Sequence, residues 1–189
     1  MLSLVPAYFS SFRTVLLTWP LVAGMLALPI LIWQYRRHGG LRWSRALIIY
    51  LVVFYLLGLA LFTLLPLPDD FARYCAERNR PVRVVPFGII SDLLDPGYWD
   101  VVQVVLNFLF FVPLGILAGT MLRLSGKQAI LLGLGVSLFI EATQLTALWG
   151  LAPCRYRVAD IDDVILNVAG VWLGVQIAKV FTRAKTLPD

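Results

Sequence analysis

The sequence predicts an all-α, polytopic membrane helix bundle of about five transmembrane helices, and three observations predict it. Hydrophobic residues make up 60% of the 189-residue chain and charged residues only 14%, against about 25% charged in an ordinary soluble domain. A soluble domain of this size has no core large enough to hide that much apolar surface. The apolar residues fall into blocks of roughly 20, the length at which a helix crosses about 30 Å of hydrocarbon. These blocks are continuous, whereas the strands of an outer-membrane barrel alternate in short runs. Helix is the form that satisfies every backbone group inside such a segment.

The first block, about 14–33, is too long for a cleavable signal peptide and ends in Trp33-Gln34-Tyr35-Arg36-Arg37, with no small-residue cleavage site. A second spans about 46–66. A long connection at about 67–100 follows, and in it residues 86–94 read as a short amphipathic segment with Phe87, Ile90 and Leu94 on one side. Arg73, Arg78, Arg80 and Arg83 precede that segment and are balanced in the same loop by Asp69, Asp70 and Glu77. Anionic head groups or cell-wall polymers are the alternative partners for these arginines.

The third block, about 101–122, carries Asn107, a Gly115/Gly119 pair suited to close helix approach, and Pro113, which is expected to bend it. The fourth, about 128–147, carries Ser137, Glu141 and Gln144 at spacings of four and three, on one helix face. The fifth, about 163–181, is preceded by Arg157 and Asp160; Asp160, Asp163 and Asn167 share a face, and Gly170/Gly174 repeats the small-residue spacing. There is no internal repeat, low-complexity stretch or soluble domain, so residues 1–189 read as a single transmembrane domain.

Charge placement predicts the orientation. Arg36, Arg37, Arg42, Arg45, Arg123, Lys127, Lys179, Arg183 and Lys185 fall on one side of a five-span chain, opposed there only by Asp189. The positive-inside rule makes that side cytoplasmic, with the N-terminus outside and the C-terminus in the cytoplasm of a bacterial cytoplasmic (inner) membrane protein. A basic face meeting anionic membrane lipids explains these residues; nucleic acid is not an expected partner. Cys75 and Cys154 then both face an oxidising compartment, where a disulfide is expected and two free thiols are the alternative. The single histidine, His38, lies in a cytoplasmic loop away from both, so no metal site is expected.

Polar groups inside a span are costly and point to function. At about 1.5 Å per residue, Asn107, Glu141 and Asn167 each fall roughly 6–10 Å below the outer boundary. Three spans thus bring polar groups to one level, which predicts a pocket open to the outer leaflet with Asp160 and Arg157 at its mouth. Interhelical hydrogen-bonding is the alternative role for the amides and Ser137. It does not cover Glu141, an acid in a span, for which Arg157 is the nearest basic residue in sequence.

Four motifs in order resemble the VanZ-like family of bacterial membrane proteins, named after a teicoplanin-resistance accessory protein. They are Val85-Pro86-Phe87; Asn107-Phe-Leu-Phe-Phe-Val-Pro113-Leu-Gly115; Ser137-Leu-Phe-Ile-Glu141-Ala-Thr-Gln144; and Arg157-Val-Ala-Asp160-Ile-Asp-Asp163-Val-Ile-Leu-Asn167-Val-Ala-Gly170. Together they cover about 85–174, and the first two spans match only in being hydrophobic. The resemblance implies an envelope-associated protein linked to glycopeptide resistance and brings no catalytic mechanism with it. No nucleotide- or CoA-binding motif is present, so no cofactor is expected.

The expected function is binding of an amphiphile, such as a lipid-linked envelope component or lipoglycopeptide, at Asn107, Ser137, Glu141, Gln144, Arg157, Asp160, Asp163 and Asn167. The alternative is an intramembrane enzyme with Glu141 as acid or base and Asp163 as a second carboxylate. A small transporter is the least favoured reading, because no inverted repeat is evident.

Overall fold

The computed structural model describes residues 5–65, 67–68, 70–77, 82–94 and 98–184, so Asp69, Arg78, Arg80, Lys185 and Asp189 lie outside the described residues. Among the described residues there are seven helices: α1 (Val5–His38), α2 (Trp43–Leu64), α3 (Phe71–Glu77), α4 (Gly88–Leu94), α5 (Tyr98–Thr120), α6 (Gly126–Leu145) and α7 (Ile161–Ala184). Among the described residues the only β-type pairing is an isolated bridge between Arg83 and Asp160. Five helices among the described residues are long and apolar enough to cross a membrane: 17–38, 43–64, 101–120, 126–145 and 161–182. The all-α, five-span reading therefore holds, and the protein is a multi-pass membrane protein.

Local chemistry explains where the helices begin and end. α1 runs past Trp33 to His38 and stops at Gly39, which takes φ +67°, the left-handed conformation a glycine accepts at a helix C-terminus. α2 stops before Leu65, which is extended at φ −112° and ψ 164° ahead of Pro66. α6 starts two residues before the sequence predicts, because Ser125 and Gln128 form a reciprocal capping box there. α5 continues as one helix through Pro113.

Contacts group the chain into two compact units, Met1–Phe71 and Ala72–Asp189. In the first, α1 and α2 form an antiparallel hairpin. Trp19 lies over Gly58, stacks on Phe54 at 4.3 Å and donates its indole N–H to the Phe54 carbonyl at 2.8 Å. Nearer the turn, the Tyr50 hydroxyl meets the Pro20 carbonyl at 3.4 Å. Ala23 and Ala27 are buried on the same side of α1.

The second unit is built on a close pair of helices. A Cβ placed on Gly170 would run into the Phe108 carbonyl, one on Gly174 into the Val112 carbonyl, and one on Gly119 would lie 2.7 Å from the Ala178 methyl. Residue numbers rise together along both helices, so α5 and α7 are parallel, and the two small-residue pairs read from the sequence pack against each other. α6 packs antiparallel to α7, with Gly133 against Val171 lower down and Ser137 against Asn167 above it.

A disulfide joins Cys75 of α3 to Cys154 in the α6–α7 connection, 79 residues away. The Tyr74 hydroxyl reinforces the junction by donating to the Tyr156 carbonyl at 2.9 Å. Burial pushes the Tyr156 phenol above its ordinary pKa, against the pull of Arg157. Because α5 and α6 lie between the two cysteines, the bond requires both loops to be on the same side of the membrane. Closing a loop of 79 residues is worth about 4.5 kcal/mol in the chain-entropy description, an upper value because membrane-held spans already restrict the unfolded chain. The double variant Cys75→Ser/Cys154→Ser is expected to lose about 2 kcal/mol and melt about 4–8 °C lower in detergent. An unchanged midpoint would show that the bond adds no stability.

Candidate functional site

The α6–α7 connection first has to turn the chain back on itself. It does so with three consecutive non-glycine residues in left-handed conformation, Ala147, Leu148 and Trp149 (φ 51°, 56° and 59°), followed by Gly150. Such residues are costly one by one. Local hydrogen bonds hold them: the Trp149 amide donates to the Thr146 hydroxyl at 3.0 Å and its indole N–H to the Thr143 hydroxyl at 3.1 Å. The chain then passes Cys154 and reaches the start of α7.

At that start, the Asp160 carboxylate accepts from the Asp162 amide at 2.9 Å and so caps α7. Arg83 pairs with Asp160 through both backbone and side chain. Its amide donates to the Ala159 carbonyl at 2.9 Å, its carbonyl accepts from the Ile161 amide at 3.0 Å, and its guanidinium lies 3.7 Å from the Asp160 carboxylate. Asp162, only 4% exposed, accepts from the Phe87 amide at 2.6 Å and the Ile89 amide at 2.8 Å. One carboxylate thereby caps α4 from another helix and fixes the turn at Phe87, itself at φ 66°. α4 then shows Ile90 and Leu94 to the outside together with Phe87, the apolar side the sequence predicts for this segment.

Behind this rim the predicted polar residues of three helices come together. Glu141 on α6 accepts the Asp160 amide at 2.8 Å. It also lies within electrostatic reach of the Asp160 and Asp163 carboxylates. Asp163 on α7 accepts from the Gln103 amide of α5 at 3.4 Å, interacts with the Asn107 amide one turn further on, and feels the charge of Arg157. One turn deeper in α7, the Asn167 amide donates to the Ser137 hydroxyl of α6 at 2.9 Å, and both side chains are buried. Gln144 is buried on the same face of α6 as Ser137 and Glu141.

Two acceptor sites in this cluster stand out. The Asn167 Oδ1 is buried without a hydrogen-bond partner among the described residues. Glu141, within a span, has the Asp160 amide as its partner, and among the described residues no basic side chain pairs with it. The sequence named Arg157 as the nearest basic residue; the guanidinium instead bears on Asp163 and Tyr156.

Three contributors were absent from the sequence-derived set. Gln103 stands four residues before Asn107 on one helix face, a spacing that marks it as a partner. Asp162 and Arg83 act through main-chain groups about 75 residues away, and local spacing carries no trace of that.

A family model described as VanZ/LLP1 matches residues 52–182, more than two-thirds of the chain. The match begins within α2 and ends within α7, so it extends beyond the motif region at about 85–174 in both directions and includes every residue of the cluster. No curated protein is significantly similar to the chain, and no solved structure is either.

Proposed function

The chain belongs to the VanZ/LLP1 family, and from that premise we propose that it binds an amphiphile in a polar pocket of the outer leaflet. The ligand is a lipid-linked envelope component or a lipoglycopeptide of the teicoplanin type, and its capture contributes to glycopeptide resistance. On this reading the protein sits in the bacterial cytoplasmic membrane with its N-terminus outside. The head group meets Asn107, Glu141, Gln144, Asp163 and Asn167, with Arg157 and Asp160 at the entrance. The acyl or prenyl chain lies along exposed apolar side chains such as Leu109 and Phe139.

The observation that carries this reading is Glu141, an acid in a span with a main-chain amide for a partner and, among the described residues, no basic side chain. An acid held there by a single amide is costly unless a counter-charge or further donors meet its other acceptor sites. With the open acceptor of Asn167 one layer deeper, the cluster favours a donor-rich head group: hydroxyl, amide or ammonium.

A second reading, an intramembrane enzyme acting on a lipid-linked envelope substrate, is favoured by the proximity of two carboxylates from different helices, Glu141 and Asp163. Glu141 would then serve as acid or base, with the amides orienting the head group.

Glu141→Gln keeps the volume and removes the charge. Native mass spectrometry of protein extracted with its surrounding lipid is expected to show a retained amphiphile on the wild type and at least about tenfold less on the variant. Full retention by the variant with loss of lipid turnover would favour the enzyme. Equal retention with no change in turnover or glycopeptide susceptibility would sink both readings.

A further inference from the structure

The turn between α1 and α2 holds a cavity of about 320 Å³ lined by Gln34, His38, Gly40, Leu41, Arg42 and Arg45. That lies in the size range of small-ligand sites, roughly 300–1,000 Å³. It is wholly within Met1–Phe71 and does not rest on the α6–α7 cluster. We infer that this cavity binds a phosphate-bearing anion, of the kind presented by an anionic phospholipid head group.

Charge and helix geometry both favour an anion there. Residues 34–45 contain four arginines and no acid. Helices usually begin with Ser, Thr, Asp or Asn, or with acids in the first turn, because the first N–H groups lack partners and carry partial positive charge. α2 begins instead with Arg42 at its N-cap, with no side-chain cap and no acid in its first turn. A guanidinium beside uncapped amides is unfavourable on its own and favourable around a bound anion.

Gln34 supplies a further polar group that lacks a partner. Its Oε1 is buried with no hydrogen-bond partner among the described residues. A hydroxyl of the head group, such as glycerol carries beside its phosphate, would donate to that oxygen.

The surroundings indicate depth. Trp33, Tyr35 and Trp43 flank the turn and are 57%, 57% and 85% exposed. Tryptophan and tyrosine in such numbers at the end of a spanning hairpin mark the head-group level of a bilayer. Phosphodiesters are concentrated at that level.

The full-length protein is titrated in detergent with phosphatidylglycerol and with phosphatidylcholine, and bound lipid is counted by native mass spectrometry. Phosphatidylglycerol is expected to be retained in preference. Arg42→Gln/Arg45→Gln is expected to weaken it about 30-fold, since both guanidiniums line the cavity and each direct hydrogen bond lost to the phosphate is worth about a factor of five. Arg36→Gln/Arg37→Gln removes the same charge outside the cavity lining, where solvent and salt screen it, and is expected to change retention less than about threefold. Arg42→Lys/Arg45→Lys keeps the charge, and its retention of the lipid guards against a loss caused by misfolding.

Displacement by excess inorganic phosphate assigns the site to a free anion; retention through that challenge assigns it to the lipid head group. Absence of preference for phosphatidylglycerol, or equal weakening by the two glutamine pairs, overturns the inference.

Discussion

Gly174→Val is expected to abolish folding of the Ala72–Asp189 unit or to cost more than about 4 kcal/mol. The atoms a Cβ would meet at this position are the Val112 carbonyl, the Gly115 Cα at 2.9 Å and the Ile116 amide nitrogen at 2.9 Å. All of them belong to the backbone of α5, so no change of rotamer relieves the overlap, and the two helices have to separate. Separation also pulls apart Asp163 and its α5 partners Gln103 and Asn107. Gly135→Val is the matched control: it adds the same side chain to a spanning helix where a Cβ meets nothing within 4 Å. It is expected to change stability by less than about 1 kcal/mol. Midpoints of thermal or SDS unfolding in detergent check both. Equal midpoints would mean that α5 and α7 are not held at backbone contact.

Asp162→Asn is the second large effect. Asp162 serves two main-chain donors, Phe87 N–H and Ile89 N–H, with one oxygen for each. Asparagine keeps the shape but replaces one acceptor oxygen with an NH₂ group, so one amide loses its bond and faces another donor. Hydrogen bonds to a charged group contribute about 1.5–3 kcal/mol, and the loss is expected to fall in that range. Because the bonds tie a loop rather than the helix pair, the effect appears as local opening. Hydrogen exchange across residues 85–90 is expected to accelerate at least about tenfold, while exchange in α7 beyond Asn167 stays within about twofold. Unchanged exchange at Phe87 and Ile89 would show that the loop is held by other means.

These two sites also show what the sequence conveyed and what it did not. The spans were legible because hydrophobic length is a local property, and each block met the bilayer criterion without reference to any other. Helical rise alone put Asn107, Glu141 and Asn167 at one level; the structure sets Glu141 beside the start of α7 and Asn167 one turn deeper, against Ser137. The shared faces of Ser137 with Glu141 and of Asp163 with Asn167 followed from helical spacing, and the structure places Asn167 on Ser137 as those faces allow.

Pairing at long range was not legible. Asp160 read as part of a pocket mouth, and no local pattern showed that its carboxylate also caps α7 and meets the Arg83 guanidinium. Asp162 fell off the Asp160–Asp163–Asn167 face and was passed over, because its partners are backbone amides of a distant loop that no side-chain pattern announces. Arg83 carried a charge the sequence could count, but its main-chain bridge to Ala159 and Ile161 depends on how the chain returns.

The disulfide has a consequence for how the molecule is made. Cys75 is synthesised 79 residues ahead of Cys154, so at translation rates of about 5–20 residues per second its thiol waits about 4–16 s for a partner. During that interval α5 and α6 must both be threaded into the bilayer. A chain that inserts only one of them strands the two sulfurs in different compartments, where no oxidant can join them. The finished bond is therefore a record of correct insertion written into the polypeptide, and a shift in gel mobility on reduction separates molecules that completed the passage from those that did not.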